Sequence, residues 1–539
     1  ATLSDGDLAT LAGLTETGNA YTITITDTTV DAAALNTLDG KTTVAVNASN
    51  ITTLTGAAAD LNTAYAANGS SITGLGNEAA TLSDTTLGAS VLNTLDGNTS
   101  GTINASSVNT LTGAAADLNT AFDSAGISNL GNEAVTLSDT TLAVSVLNTL
   151  DGNTSGTINA SSVNTLTGAA ADLNIAFDSA GISNLGNEAV TLTDTTLGAS
   201  VLNTLDGNTS GTINAGSVNT LTGSASDLIT AFASSGISNL GDEAVSVSSG
   251  TASISQANTL AAATSGVVTA TLSDGDLATL AGLTETGNAY TITITDTTVD
   301  AAALNTLDGK TTVAVNASNI TTLTGAAADL NTAYAANGSS ITGLGNEAAT
   351  LSDTTLGASV LNTLDGNTSG TINASSVNTL TGAAADLNTA FDSAGISNLG
   401  NEAVTLSDTT LAVSVLNTLD GNTSGTINAS SVNTLTGAAA DLNIAFDSAG
   451  ISNLGNEAVT LSDTTLAVSV LNTLDGNTSG TVNANTVTTL TGAAADLNTA
   501  YDSAGISNLG NEAVTLSDTT LAVSVLNTLD GNTSGTVTP

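Results

Sequence analysis

The chain has 539 residues, 48 of them acidic and only two basic, with no histidine or cysteine and a formal net charge of −46. That balance argues against binding nucleic acid, whose affinity comes mainly from Lys and Arg neutralising phosphates, and against docking on anionic membranes. Disulfide staples are impossible, so stability must come from packing and backbone pairing. Disorder does not follow from the charge, because 40% of residues are apolar and only 9% are charged. A folded chain with a surface of Thr, Ser, Asn and Gly is expected.

Residues 1–192 recur unchanged at 270–461, an offset of 269. A shorter period lies inside each copy. The glycine of the L-T-G stretch falls at Gly56, Gly113, Gly168 and Gly223, then at Gly325, Gly382, Gly437 and Gly492, in steps of 57, 55 and 55. A fixed period of this size marks a stacked, quasi-one-dimensional architecture. Two super-repeats are expected, 1–269 and 270–539, the second continuing the same stack. Residues 245–269 form a divergent junction between them.

The block 135–189 carries alternating strand and helix patterns. Val135-Thr136-Leu137-Ser138-Asp139 alternates apolar and polar, as a half-buried strand does. Leu142, Val146, Leu147 and Leu150 then follow helical spacing, with an acidic or threonine N-cap and a stop at Gly152. Leu142, Val144 and Val146 also satisfy a period of two. Gly156–Ala160 is a second short strand, and Val163–Gly168 echoes Leu147–Gly152. Ala169, Leu173, Ala176, Phe177 and Ala180 line one face of a second helix ending at Gly181, and Ile182–Ala189 leads back to the next strand. The expected fold is a solenoid. Parallel β-strands stack coil on coil with short helices on the other face, about two coils per repeat, of 22 and 33 residues. One repeat cannot bury its own apolar face, whereas a stack makes a continuous core. About 20 coils at the strand spacing would extend roughly 100 Å.

Eight of the ten aromatic residues occupy one repeat position: Tyr65, Phe122, Phe177, Phe232, Tyr334, Phe391, Phe446 and Tyr501. Their place on an apolar helix face points to core packing over a carbohydrate-binding strip.

Catalytic chemistry is sparse. Nucleophilic triads need a His or Lys base, and only Lys41 and Lys310, one position seen twice, are available. The acids Asp139, Asp151, Asp172, Asp178 and Glu188 are copied in every block, while paired acid–base roles need two different environments. No enzyme is expected, and no organic cofactor. Calcium is the one ligand the acidic turns suggest, since hard cations take carboxylate and carbonyl oxygens. The candidates are Asp5 and Asp7 in Ser4-Asp5-Gly6-Asp7 and Asp151 and Asn153 in Asp151-Gly152-Asn153. The competing reading is a solvated turn whose Asp caps a helix or bonds its own backbone. Asn-x-Ser/Thr sequons at Asn47, Asn98, Asn104 and Asn153 permit glycosylation. A regular Thr-x-Thr array, as ice binding would need, is confined to Thr22–Thr26 and its copy.

Runs such as LNTLDGNTSGTINASSVNTLTGAAADLNTA resemble the repeats of very large secreted or cell-surface proteins of marine cyanobacteria, including those linked to swimming motility. The resemblance covers almost the whole chain and implies an extracellular surface layer, filament or adhesin stalk, with no site residue to carry over. The expected function is a structural extracellular repeat protein that forms a fibre or surface layer. The alternative is an adhesin stalk or binding fibre, either calcium-stabilised, phage-derived or glycan-binding. Expected partners are copies of itself, end to end or laterally, with cations or surface glycans, and no inserted membrane.

Overall fold

The computed structural model describes residues 1–539, which form 20 short helices and 43 strands. The chain is a solenoid of parallel strands and short helices. It divides into two compact units, 1–271 and 272–539.

The repeat 134–192 shows how the sequence makes a coil. The strand Ala134–Leu137 buries Val135 and Leu137 and leaves Thr136 half-buried, following the alternation. The strand Thr141–Ala143 comes next, and the helix Val144–Asn153 follows directly. Both periods seen in this stretch are therefore used. Leu142 and Val144 alternate with an exposed Ala143, and from Val144 the buried positions move to Leu147 and Leu150. After this helix come the strands Ile158–Asn159 and Thr165–Gly168, the helix Ala170–Asp178, and the two-residue strand Ile182–Ser183.

Three local expectations are corrected. Gly152 lies within the first helix, which runs to Asn153 and has an extended Thr154 as its C-cap. The second helix ends at Asp178, three residues before Gly181. Thr165–Gly168 is a strand, although its letters echo the end of a helix. Leu166 there is buried between half-buried threonines, and Gly168 at φ 154° turns the chain into the helix that follows.

Coil lengths differ from the expected 22 and 33 residues. Strand pairing sets one spacing: Leu87, Leu111, Val135, Ile158 and Ile182 stand in register, 23 or 24 residues apart. Helices set another, with starts at Ala89, Ala115, Val144, Ala170 and Ala199, alternately 26 and 29 apart. Two helix steps thus use 55 residues, and two strand steps use about 48 at the ladder spacing. Each sheet consequently drifts along the coil. It begins at Thr86–Gly88 directly before a helix and ends at Ile182–Ser183 directly after one. A new five-stranded sheet begins at Thr141–Ala143, one repeat later. Two periods in one chain produce short diagonal sheets in place of one endless ladder.

The core sits between strands and helices, with Leu147, Leu150, Ile158, Leu166, Ala170 and Leu173 at 0% exposure. Each buried leucine or isoleucine of this kind contributes about 1.5–3 kcal/mol. No helix is long and apolar enough to cross a membrane.

Candidate functional site

The distinctive chemistry of the chain lies in the seams between successive coils, where polar side chains bond across one strand or helix step. Along the helix stack, Asn148 Nδ2 donates to the Asp172 carbonyl at 3.0 Å and Asn174 Nδ2 to the Val201 carbonyl at 3.1 Å. In each Leu-Asn pair the leucine enters the core and the asparagine, beside it at the helix edge, reaches the neighbouring helix. On the strand side Asn184, in left-handed backbone at φ 63°, donates to Asn159 Oδ1 at 2.7 Å. Asparagine tolerates that conformation better than most residues.

Helix N-termini are satisfied across the seam as well. The expected local cap is absent from the first helix: its N-cap is Ala143, with no side-chain bond. For the second helix, Ala170 N–H donates to Asp194 Oδ2 at 2.8 Å, from a residue 24 positions later. The same bond joins Ala115 to Asp139 and Ala439 to Asp463. The carboxylate satisfies an orphan amide and meets the positive end of the helix. At the divergent stretch this aspartate becomes Ser249, and the helix that would lose its cap, Ala225–Ala233, carries its own in Ser224. The next helix, Ile254–Ala263, has a full capping box of Ser253 and Gln256. Where inter-coil capping ends, local capping takes its place.

The most demanding group in the seam is a buried glutamate. Glu188 is 2% exposed, and its Oε2 accepts the amides of Gly186 and Asn187 at 2.7 and 3.0 Å. Its carbonyl accepts Thr209 Oγ1 from the next coil at 2.9 Å. Gly211 lies against the same carbonyl, which a Cβ would strike. The glutamate, threonine and glycine therefore act together, and Glu78, Glu133, Glu243, Glu347, Glu402, Glu457 and Glu512 repeat the arrangement, each 1–3% exposed. Sequence reading counted Glu188 only among the acids copied in every block and gave it no role. The missed signal was the Gly-Asn-Glu-Ala order, kept in every block but Gly241-Asp242-Glu243-Ala244, which places turn amides beside the carboxylate.

The aromatic position is only partly core. Tyr65 and Tyr334 are buried, while Phe122, Phe177, Phe232, Phe391, Phe446 and Tyr501 are half-buried. The ring belongs to the last turn of the second helix, beside the glutamate turn: Tyr65 Oη donates to the Glu78 carbonyl and Tyr501 Oη to Glu512 Oε2, both at 3.4 Å. Burial, with a nearby carboxylate adding to it, pushes Tyr290 and Tyr501 up to about 12 and raises Tyr65 and Tyr334. These folded-state values exceed the usual 10, so the stability they contribute is complete below pH 10 and is lost as pH rises through 12. Tyrosinate absorbance during alkaline titration is expected to show a component near pH 12. In urea that component shifts to the ordinary tyrosine range.

The calcium candidates fall in separate surroundings. Asp7 caps the helix Leu8–Leu11, accepting Thr10 N–H and Thr10 Oγ1 at 2.9 Å, bonds that lower its pKa. Asp5 is exposed in the preceding turn. Asp151 Oδ2 accepts Ser179 Oγ at 2.7 Å across the seam, and Asn153 Nδ2 donates to Asn119 Oδ1 at 3.0 Å and Asp123 Oδ1 at 3.3 Å. Asp7, Asp151 and Asn153 are thus each engaged in hydrogen bonds. No group of three or more acidic, histidine or cysteine side chains gathers where a metal ion could be held.

No family model matches this chain, and no curated protein matches it either.

Proposed function

We propose that this protein is a structural, extracellular repeat protein whose role is the array itself: a fibre or surface layer built from stacked coils and associated copies. One observation carries the reading. Val468 and Leu471 are 1% and 0% exposed beneath the coil that follows them, and Asn472 Nδ2 donates to the Asp496 carbonyl of that coil at 3.0 Å. A coil is therefore an adhesive unit completed by its neighbour, and its stability is a sum over seams. Repeated letters serve that seam throughout: leucines fill it, and Asn, Asp, Ser and Thr bond across it.

The extracellular placement is supported by the resemblance to giant cell-surface repeat proteins and by a chain free of Cys and Met, the residues most readily oxidised. Like charge between copies is screened within about 8–10 Å at physiological salt, so assembly should strengthen with ionic strength. Electron microscopy of the purified chain in physiological salt is expected to show long unbranched fibres or ordered layers. Monodisperse particles at every concentration and salt level would end the proposal.

A further inference from the structure

Each unit contains one place where the helix stack is incomplete. The helix Leu8–Leu11 has four residues, against ten in a regular helix such as Val144–Asn153, and it covers only part of the helix Ala32–Asp39 beside it. An apolar groove of about 210 Å³ remains, lined by Leu11, Ala12, Ala34, Thr37, Leu38 and Lys41. Its copy in the second unit, about 230 Å³, ends in Lys310. Two residues there depart from the regular repeat. Ala34 stands where Val146 stands, which deepens the groove, and Lys41 stands where Asn153 reaches back to Asn119 and Asp123. The only cations of a chain with 48 acids thus occupy the position that faces a carboxylate in the regular stack. Neither is ion-paired within the chain; Lys310 Nζ donates to the Thr284 carbonyl at 3.3 Å.

Each unit also carries an isoleucine that protrudes from a regular helix. Ile175 and Ile444, both 59% exposed, replace the exposed threonine found in sister helices as Thr120, Thr389 and Thr499. Ile175 shares an exposed stripe of its helix with Asp178, three residues on, and Ile444 does so with Asp447. Asp178 is the counterpart of Asp123, the acid that faces Asn153 in the regular stack.

We propose that the lysine-rimmed groove is a docking site for a second copy of this chain, with the Ile175 or Ile444 knob seated on the leucines and alanines and Asp178 or Asp447 against Lys41 or Lys310. The contact reproduces between chains the acid-to-position-153 pairing that the stack makes within one. Knob and groove are different surfaces, so the interface is heterologous and propagates without closing. Two of each per chain give multivalent lateral growth. This inference rests on the reading of the protein as a self-assembling array.

The test uses substitutions already present at the same position in neighbouring repeats, which keeps folding intact. One full-length variant carries Ile175→Thr with Ile444→Thr, and the other Lys41→Asn with Lys310→Asn. Sedimentation velocity of wild type is expected to show concentration-dependent assembly, and each variant alone should assemble at least tenfold more weakly. An equimolar mixture should recover assembly with the two variants alternating, because one variant keeps the grooves and the other keeps the knobs. Assembly of both variants at the wild-type level overturns this contact and leaves the fibre reading standing. Weakened variants whose mixture recovers nothing also overturn it, pointing to a different occupant of the groove. Wild type that never assembles overturns the fibre reading together with the contact.

Discussion

Replacing Glu188 with alanine is expected to lower stability by about 2–4 kcal/mol, among the largest effects of any single polar change in the chain. The substitution leaves the part-buried amides of Gly186 and Asn187 without their carboxylate acceptor, and an unsatisfied donor held away from water costs roughly 1–3 kcal/mol. Loss of the packed side-chain stem adds to that. Glu188→Gln keeps an acceptor oxygen and should recover about half of the loss. Gly211→Ala attacks the same turn from the other side, since the added methyl strikes the Glu188 carbonyl, and should cost a similar amount. Urea melts of a truncated array of a few repeats, where one seam is a large share of the total, check all three. Equal stability of Glu188→Ala and wild type would show that the turn is not a structural clamp.

Deleting residues 136–190, one 55-residue period, should leave a folded solenoid with an unchanged circular dichroism shape and a melting temperature within a few degrees. Val135 then joins Thr191, restoring the Val-Thr-Leu strand and both periods at once. Deleting residues 136–158 removes 23 residues, the strand step from Val135 to Ile158, and keeps the sheet spacing alone. It takes away the helix Val144–Asn153, bringing Ala115–Asp123 and Ala170–Asp178 into succession without the partner each requires. Leu118 and Leu173, now 0% exposed, would lose their cover, and aggregation on expression is the expected result. Equal behaviour of the two deletions would mean that the helix period plays no part in the stack.

These effects also mark where sequence reading stopped. The solenoid, its parallel strands and two helices per repeat were legible because Leu, Val and Ile recur at positions such as 135, 147, 158 and 173. The true coil lengths were not. Thr165-Leu166-Thr167-Gly168 and Asn148-Thr149-Leu150-Asp151-Gly152 share letters yet form a strand and a helix. Only pairing with Thr141–Ala143 and Ala189–Leu192 decides the former. Tertiary context overrides propensity in such short segments. The caps were missed for the same reason: Asp194 lies 24 residues from the amide it serves, so no local motif reveals it. Lys41 and Lys310 were visible as the sole cations, but their meaning required the shortened helix beside them.

Fibre diffraction from oriented assemblies tests the central claim most directly. Coils stacked along a fibre axis place their strands across it, which predicts a strong meridional reflection near 4.8 Å, the strand spacing. Oriented fibres without that reflection, or one lying on the equator, would contradict axial stacking as the basis of the array.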